Sequence, residues 1–134
     1  MVTVGVVGAA GYMGGEALRV LLEHPEVQLA WATSRKSGPV EEVHPNLYGT
    51  GIFLTSLEET SAPEYVFLAV PTKPSIDIAA RFIAEGSRVI DLGSAFRLKD
   101  RATWETVYGQ RHERWDLAAQ AVYGIPEFHE RDIR

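Results

Sequence analysis

Gly8-Ala9-Ala10-Gly11-Tyr12-Met13-Gly14-Gly15 stands between two apolar segments of different period, and that change of period points to the architecture. Before it, Val2-Thr3-Val4-Gly5-Val6-Val7 is a short β-branched run that reads as a strand buried on both faces. After it, from Gly14 to His24, Ala17, Leu18, Leu21 and Leu22 fall on one helical face and Pro25 closes the segment. Val27 to Thr33 reads as a second strand. Strand, helix and strand in this order make a βαβ unit, so the two strands are expected to be parallel with a right-handed crossover. A pyrophosphate bound in such a turn needs backbone N–H groups at a helix N-terminus and no side chain in its way. Gly8 permits the tight turn, Gly11 lets the backbone close on the phosphates, and Gly14 lets the helix lie against the strand. The spacing G-x-x-G-x-x-G is one residue longer than the commonest dinucleotide fingerprint. Glycines also end strands for purely structural reasons, and it is the position directly between strand and helix that makes these informative. Gly8, Ala10, Gly11, Tyr12, Met13 and Gly14 are the candidate cofactor cradle.

The end of the second strand chooses between cofactors. NAD-specific domains place Asp or Glu there, about 20 residues past the fingerprint, to bond the ribose 2′-hydroxyl. This chain has Ala32-Thr33-Ser34-Arg35-Lys36 instead, with hydroxyls and two cations and no carboxylate. Arg35 can fork onto a phosphate and Ser34 can donate to it. Such cations also serve as plain solvated loop charges, but next to a glycine turn they favour NADP over NAD.

The remaining sequence continues the alternation. Residues 34–51 are punctuated by Gly38, Pro39, Pro45, Asn46, Gly49 and Gly51 and read as a long irregular connection. Ile52 to Leu54 is a brief strand and Tyr65 to Val70 a longer one, bounded by Pro63 and Pro71. Ile76, Ala79, Ala80 and Ile83 repeat at helical spacing, with Pro74 in the first turn and Gly86 placed as a C′ glycine. Arg88 to Leu92 is a further strand, and residues 101–108 and 114–121 are short helices. Residues 1–92 are therefore expected to form an α/β fold, a Rossmann-type doubly wound and mostly parallel sheet with helices on both faces.

Composition narrows the function. The 134 residues fit one domain, and 46% hydrophobic content is enough to fill a core, which excludes disorder as the main state. A net charge of -5 argues against a nucleic-acid partner. With no run of about 18 apolar residues and no secretory leader, the expected location is the cytoplasm. There is no cysteine, so disulfides, zinc-thiolate sites and thiol nucleophiles are absent from these residues. The histidines at 24, 44, 112 and 129 lack metal-ligand spacing. Glu41-Glu42 and Glu58-Glu59 read as solvated surface, Trp31 as core, and Trp104, Tyr108 and Trp115 as covering aromatics. Arg97, just past a strand end, sits at the level where α/β sheets bind ligands; a structural ion pair is the alternative.

Taken together, Gly8–Gly15, Thr33-Ser34-Arg35, His44-Pro45-Asn46-Leu47, Phe67-Leu68-Ala69-Val70-Pro71, Asp91-Leu92, Phe96-Arg97-Leu98-Lys99-Asp100 and Val122-Tyr123-Gly124-Ile125-Pro126-Glu127 resemble the N-terminal part of the N-acetyl-gamma-glutamyl-phosphate reductase family. The likeness covers essentially the whole chain. A sister group that acts on carrier-linked aminoadipyl phosphate in lysine biosynthesis shares these motifs, and aspartate-semialdehyde dehydrogenase is a neighbour that fits less well. The resemblance implies NADPH-dependent reductive dephosphorylation in arginine biosynthesis: a cysteine thiolate attacks an acyl phosphate, phosphate leaves, and hydride reduces the thioester to an aldehyde.

It further implies that Pro71 and Ser94 border the nicotinamide and that Arg97 meets the substrate. The family's Pro-His-Gly-Val-Ser is here Pro71-Thr72-Lys73-Pro74-Ser75, and its Asp-Leu-Ser-Ala-Asp-Phe-Arg is Asp91-Leu92-Gly93-Ser94-Ala95-Phe96-Arg97. The family's cysteine follows the Tyr-Gly-Ile-Pro-Glu segment, so residues 1–134 are expected to be the NADP-binding domain, without the nucleophile and without the substrate and dimerisation domain of a homo-oligomer. Alone, the chain is expected to bind cofactor and turn nothing over, since Ser75 and Ser94 have no His base near them in sequence. Exposed apolar surface is expected where the other domain would dock. The rival expectation is a non-catalytic dinucleotide-binding or redox-sensing module.

Overall fold

Val2–Val7 forms β1, the middle strand of the computed structural model, which describes residues 1–133. Its last four residues are buried, as a strand covered on both faces requires. The chain continues through α1 (Tyr12–Leu22), β2 (Val27–Thr33), a two-residue β3 (Gly38–Pro39), β4 (Phe53–Thr55), β5 (Tyr65–Leu68), α2 (Thr72–Ala84) and β6 (Arg88–Asp91). Three short helices follow, α3 (Arg101–Tyr108), α4 (Trp115–Gln120) and α5 (Pro126–Ile133). The sheet order is β3-β4-β2-β1-β5-β6. The pairs β1/β2, β1/β5, β2/β4 and β5/β6 are parallel, and among the described strands only β3/β4 is antiparallel. The doubly wound α/β sheet expected from the sequence is the one observed. The chain leaves β1 toward β2 and later returns to β5 on the other side, so the carboxyl ends of β1 and β5 flank the switch-point crevice.

Alternation along β1 divides the core. Val4 and Val6 pack with Leu18 and Leu21 of α1, Ala32, Val40, Leu47 and Leu54. Val7 packs with Val66, Leu68 and the α2 residues Ala79 and Phe82. A third cluster of Ile76, Ala95 and Trp104 lies under the segment after β6. The β1/β2 register slips between Val4 and Gly5. Here the Trp31 indole lies over Gly5, where a Cβ would come within 2.4 Å of the ring. The indole is half-buried rather than enclosed, stacks on Phe82 at 5.5 Å, and donates to the Ser61 carbonyl at 2.8 Å.

The structure shifts several expected boundaries. α1 starts at Tyr12, two residues early, and its buried stripe is Gly14, Gly15, Leu18 and Leu21. Leu22 is 40% exposed: the stripe begins on glycines, which carry no hydrophobic signal. α2 likewise turns Ser75, Ile76, Ala79 and Phe82 inward and leaves Ile83 outside. Gly86 takes the expected left-handed C′ conformation, φ +93°. β5 stops at Leu68 rather than Val70, because Pro71 already caps α2 and the chain must turn. β4 lies one residue later than expected, and β3 and α5 were not anticipated. Glu42, Glu58 and Glu59 are exposed, but Glu41 is half-buried, with Oε2 enclosed and without a hydrogen bond. Val122, Tyr123, Phe128 and Ile133 are exposed apolar side chains. No helix among the described residues is long and apolar enough to cross a membrane.

Candidate functional site

The glycine turn joins the carboxyl end of β1 to the amino end of α1. Gly8 has φ +79°, and a Cβ there would lie 2.3 Å from the Ala69 carbonyl oxygen of the chain leaving β5. A Cβ on Gly14 would lie 2.2 Å from the Gly8 carbonyl oxygen, so the helix starts pressed against the turn. Gly11 differs: a Cβ there would meet only the Gly8 oxygen, at 3.6 Å, so its front is open. Gly11 is also the α1 N-cap, with no side-chain cap and no acid in the first helical turn. The first amides and the positive end of the helix dipole are thus available to an anion. Ala9 is buried, with its amide donating to the Thr33 carbonyl at 2.8 Å. Ala10 is half-buried against the α1-side core. Tyr12, 98% exposed, and Met13 form the rim. These residues fit a dinucleotide diphosphate: the opening is bare backbone, and no side chain of the turn fills it.

Ser34 and Arg35 follow β2, at the same edge of the parallel sheet as the glycine turn. The Ser34 amide donates to Thr55 at 2.9 Å, which fixes the start of the loop. Ser34 Oγ accepts from the Lys36 amide at 3.3 Å, leaving its own proton free to donate. Arg35 is exposed, and among the described residues no hydrogen bond or ion pair engages its guanidinium.

Pro71 and Ser94 follow the next two strand ends, and the two segments meet through Thr72, whose Oγ1 is 3.0 Å from Ser94 Oγ. Asp91 shapes the loop between them. Its carboxylate accepts from Ser75 Oγ at 2.8 Å, from the Gly93 amide at 3.1 Å and from the Ala95 amide at 3.2 Å. Ser75 is therefore enclosed and committed to a carboxylate rather than poised as a nucleophile. α3 supports the loop from outside. The Trp104 Nε1 donates to the Ser94 carbonyl at 3.0 Å, and Arg97 Nη2 donates to the Tyr108 hydroxyl at 2.8 Å. The hydrogen bond from Arg97 holds the Tyr108 phenol below the ordinary tyrosine range. Arg97 is thus a half-buried cation on a neutral partner, not the member of an ion pair weighed as the alternative. His112 is a core residue: Nε2 faces the Ala95 carbonyl at 2.8 Å, and Nδ1 accepts from the Arg114 amide at 3.2 Å.

The structure thus brings the carboxyl ends of β1, β2, β5 and β6, with all the expected site residues, to one edge of the sheet. It adds Thr72, Asp91, Tyr108 and His44, whose placement depends on contacts between distant segments. All four stand in stretches singled out in the sequence, Asp91 and His44 within family signatures, Thr72 in the variant loop and Tyr108 as a covering aromatic, but the contacts they make were not visible there.

A bare glycine turn at the switch point of a parallel sheet defines a dinucleotide-binding α/β domain. Residues 3–134 match the semialdehyde dehydrogenase NAD-binding domain, and the chain belongs to that family. It is 41% identical over 139 residues to the N-acetyl-gamma-glutamyl-phosphate reductase of Laribacter hongkongensis, covering 100% of this chain and 41% of that protein. It is 38% identical over 140 residues to the LysW-L-2-aminoadipate/LysW-L-glutamate phosphate reductase of Sulfurisphaera tokodaii, covering 100% of this chain and 40% of the relative. The chain therefore spans about two fifths of the length of these curated relatives. Among solved structures, GenD2 from gentamicin A biosynthesis, in complex with NAD, is 33% identical with TM-score 0.54, over 67% of this chain and 26% of that one. Aspartate semialdehyde dehydrogenase II of Vibrio cholerae shares the fold, with TM-score 0.57 at 24% identity, over 75% of this chain and 34% of that one.

Proposed function

We propose that residues 1–134 are the NADP-binding part of an acyl-phosphate reductase that converts N-acetyl-gamma-glutamyl phosphate to its semialdehyde with release of phosphate. The observation that carries this reading is a bare glycine turn after β1, at the same sheet edge as an Arg35 with no partner among the described residues after β2 and a hydroxyl-held Arg97 beyond β6. The amides of Ala10 and of Tyr12 to Gly14 hold the diphosphate, while Gly8 gives the turn its shape and accepts the Gly11 amide at 3.2 Å. Ser34 donates to the ribose 2′-phosphate and Arg35 forks onto it. Pro71 and Ser94 border the nicotinamide. Arg97, oriented by Tyr108, turns its charge to the acyl phosphate. When bound, the nicotinamide supplies the hydride. The thiol that holds the acyl group in such a mechanism is not among these residues, which include no cysteine. Such a reductase would work in the cytoplasm as a homo-oligomer.

A second substrate, LysW-linked aminoadipyl phosphate, is favoured by the similar identity to the Sulfurisphaera tokodaii enzyme over the same span. The test is a chimera in which this chain replaces the matching segment of the Laribacter hongkongensis reductase. Expected is NADPH oxidation with phosphate release on N-acetyl-gamma-glutamyl phosphate, while the chain alone shows none. A folded, NADPH-binding chimera that reduces only the LysW-linked substrate favours the second reading. One that reduces neither favours a binding module without catalysis.

A further inference from the structure

Among the described residues His44 belongs to no cluster that could hold a metal ion, yet it reaches 35 positions back along the chain to the glycine turn. Its Nε2 lies 2.8 Å from the Ala9 carbonyl oxygen. A carbonyl only accepts, so the ring proton is on Nε2 and is donated. The peptide that carries the Ala9 carbonyl carries the Ala10 N–H at its other end, and in a planar trans peptide the two point in opposite directions. The Ala9 amide is already committed to Thr33. Among the described residues the Ala10 amide has no acceptor. Gripping the carbonyl from behind therefore aims an unspent donor out of the front of the turn.

The ring itself has little freedom. The His44 amide donates to Val40 at 2.8 Å and its carbonyl accepts from Leu47 at 2.9 Å. Val40 and Leu47 are both anchored in the same buried cluster as Ala9 and Leu18. On the other side the imidazole rests on α1: a Cβ at Gly15 would lie 2.3 Å from Cε1 and 2.5 Å from Nε2. The Gly14-Gly15 doublet thus has two separate causes. Gly14 makes room for the turn's own backbone, and Gly15 makes room for His44.

We propose that His44 is a positioning residue for cofactor binding, which fixes the Ala9–Ala10 peptide so that its amide meets the diphosphate. This rests on the reading of the glycine turn as the dinucleotide site. The experiment measures NADPH affinity calorimetrically, with thermal unfolding as control, for the parent chain and for His44→Gln, His44→Leu and His44→Ala. Glutamine keeps a donor near the Nε2 position, whereas leucine keeps only bulk. Expected is affinity within about threefold of the parent for His44→Gln, and a loss of about tenfold for His44→Leu and His44→Ala. Adenosine 2′-monophosphate, which has no diphosphate, should bind all of them alike. Gly15→Ala should lower NADPH affinity in the parent and add no further loss in the His44→Ala background. If His44→Ala does not fold, the Gln and Leu pair and Gly15→Ala carry the test. Equal affinities for His44→Leu and His44→Gln, or an equal loss of adenosine 2′-monophosphate binding, would reduce His44 to packing and overturn the proposal. If the parent binds neither NADPH nor NADH, the dinucleotide reading itself fails and this role fails with it.

Discussion

Arg97 donates to the Tyr108 hydroxyl at 2.8 Å, across the gap between the loop after β6 and the last turn of α3. The guanidinium favours the phenolate, so Tyr108 ionises below the ordinary tyrosine range. A depressed folded-state pKa adds stability that is full above the unfolded value and is lost as pH falls through the folded one. In an alkaline titration followed by phenolate absorbance, one of the five tyrosines should ionise ahead of the rest, and Arg97→Met should return it to them. Five tyrosines titrating together in the parent would show that the pair does not hold in solution.

Gly11 and Gly14 should respond oppositely to a methyl group. At Gly14 the new Cβ meets backbone at 2.2 and 2.8 Å, which cannot swing aside, so Gly14→Ala should cost about 1–3 kcal/mol in denaturant unfolding. At Gly11 the nearest atom is 3.6 Å away, and Gly11→Ala should stay within about 1 kcal/mol of the parent. Its NADPH affinity should nevertheless fall by at least about tenfold, because the methyl occupies the approach of the phosphates. Unchanged affinity in Gly11→Ala would place the cofactor elsewhere.

Arg35 has no partner to lose among the described residues, so its removal should leave stability unaltered. Arg35→Ala should weaken NADPH by roughly ten- to a hundredfold, the range for a hydrogen bond to a charged group, and leave NADH unchanged. Parallel losses for both cofactors would mean that the guanidinium does not read the 2′-phosphate.

Asp100 caps α3, accepting from the Thr103 amide at 2.8 Å and from Thr103 Oγ1 at 2.6 Å. These bonds hold its carboxyl below the usual aspartate range. The stability it adds is therefore full above the unfolded aspartate pKa and is lost as pH falls through the lowered folded value. Asp100→Ala should melt below the parent at neutral pH, with a gap that narrows on acidification. A gap that is constant with pH would contradict the assignment of the cap to the ionised carboxylate.

The strands and the glycine turn were legible because their signals are local: β-branched runs, a change of period, and punctuation by Gly and Pro. The phase of the helices was less so. Gly14, Gly15 and Ser75 occupy buried positions without being hydrophobic, and this drew Leu22 and Ile83 into the expected core although both face outward. β3 was illegible because Gly38-Pro39 has no strand propensity and pairs only through the returning β4. The supports of the site stayed hidden for a different reason. Tyr108 and His44 act on residues 11 and 35 positions away, and such pairings are made by the tertiary fold rather than by spacing.

The most direct test is a calorimetric titration of the 134-residue chain with NADPH and, separately, NADH. A dinucleotide seated on the glycine turn with its 2′-phosphate between Ser34 and Arg35 requires saturable one-to-one binding, with NADPH the tighter by at least about tenfold. Equal affinities, or a preference for NADH, would contradict that placement of the 2′-phosphate. A folded chain that binds neither would contradict the site itself.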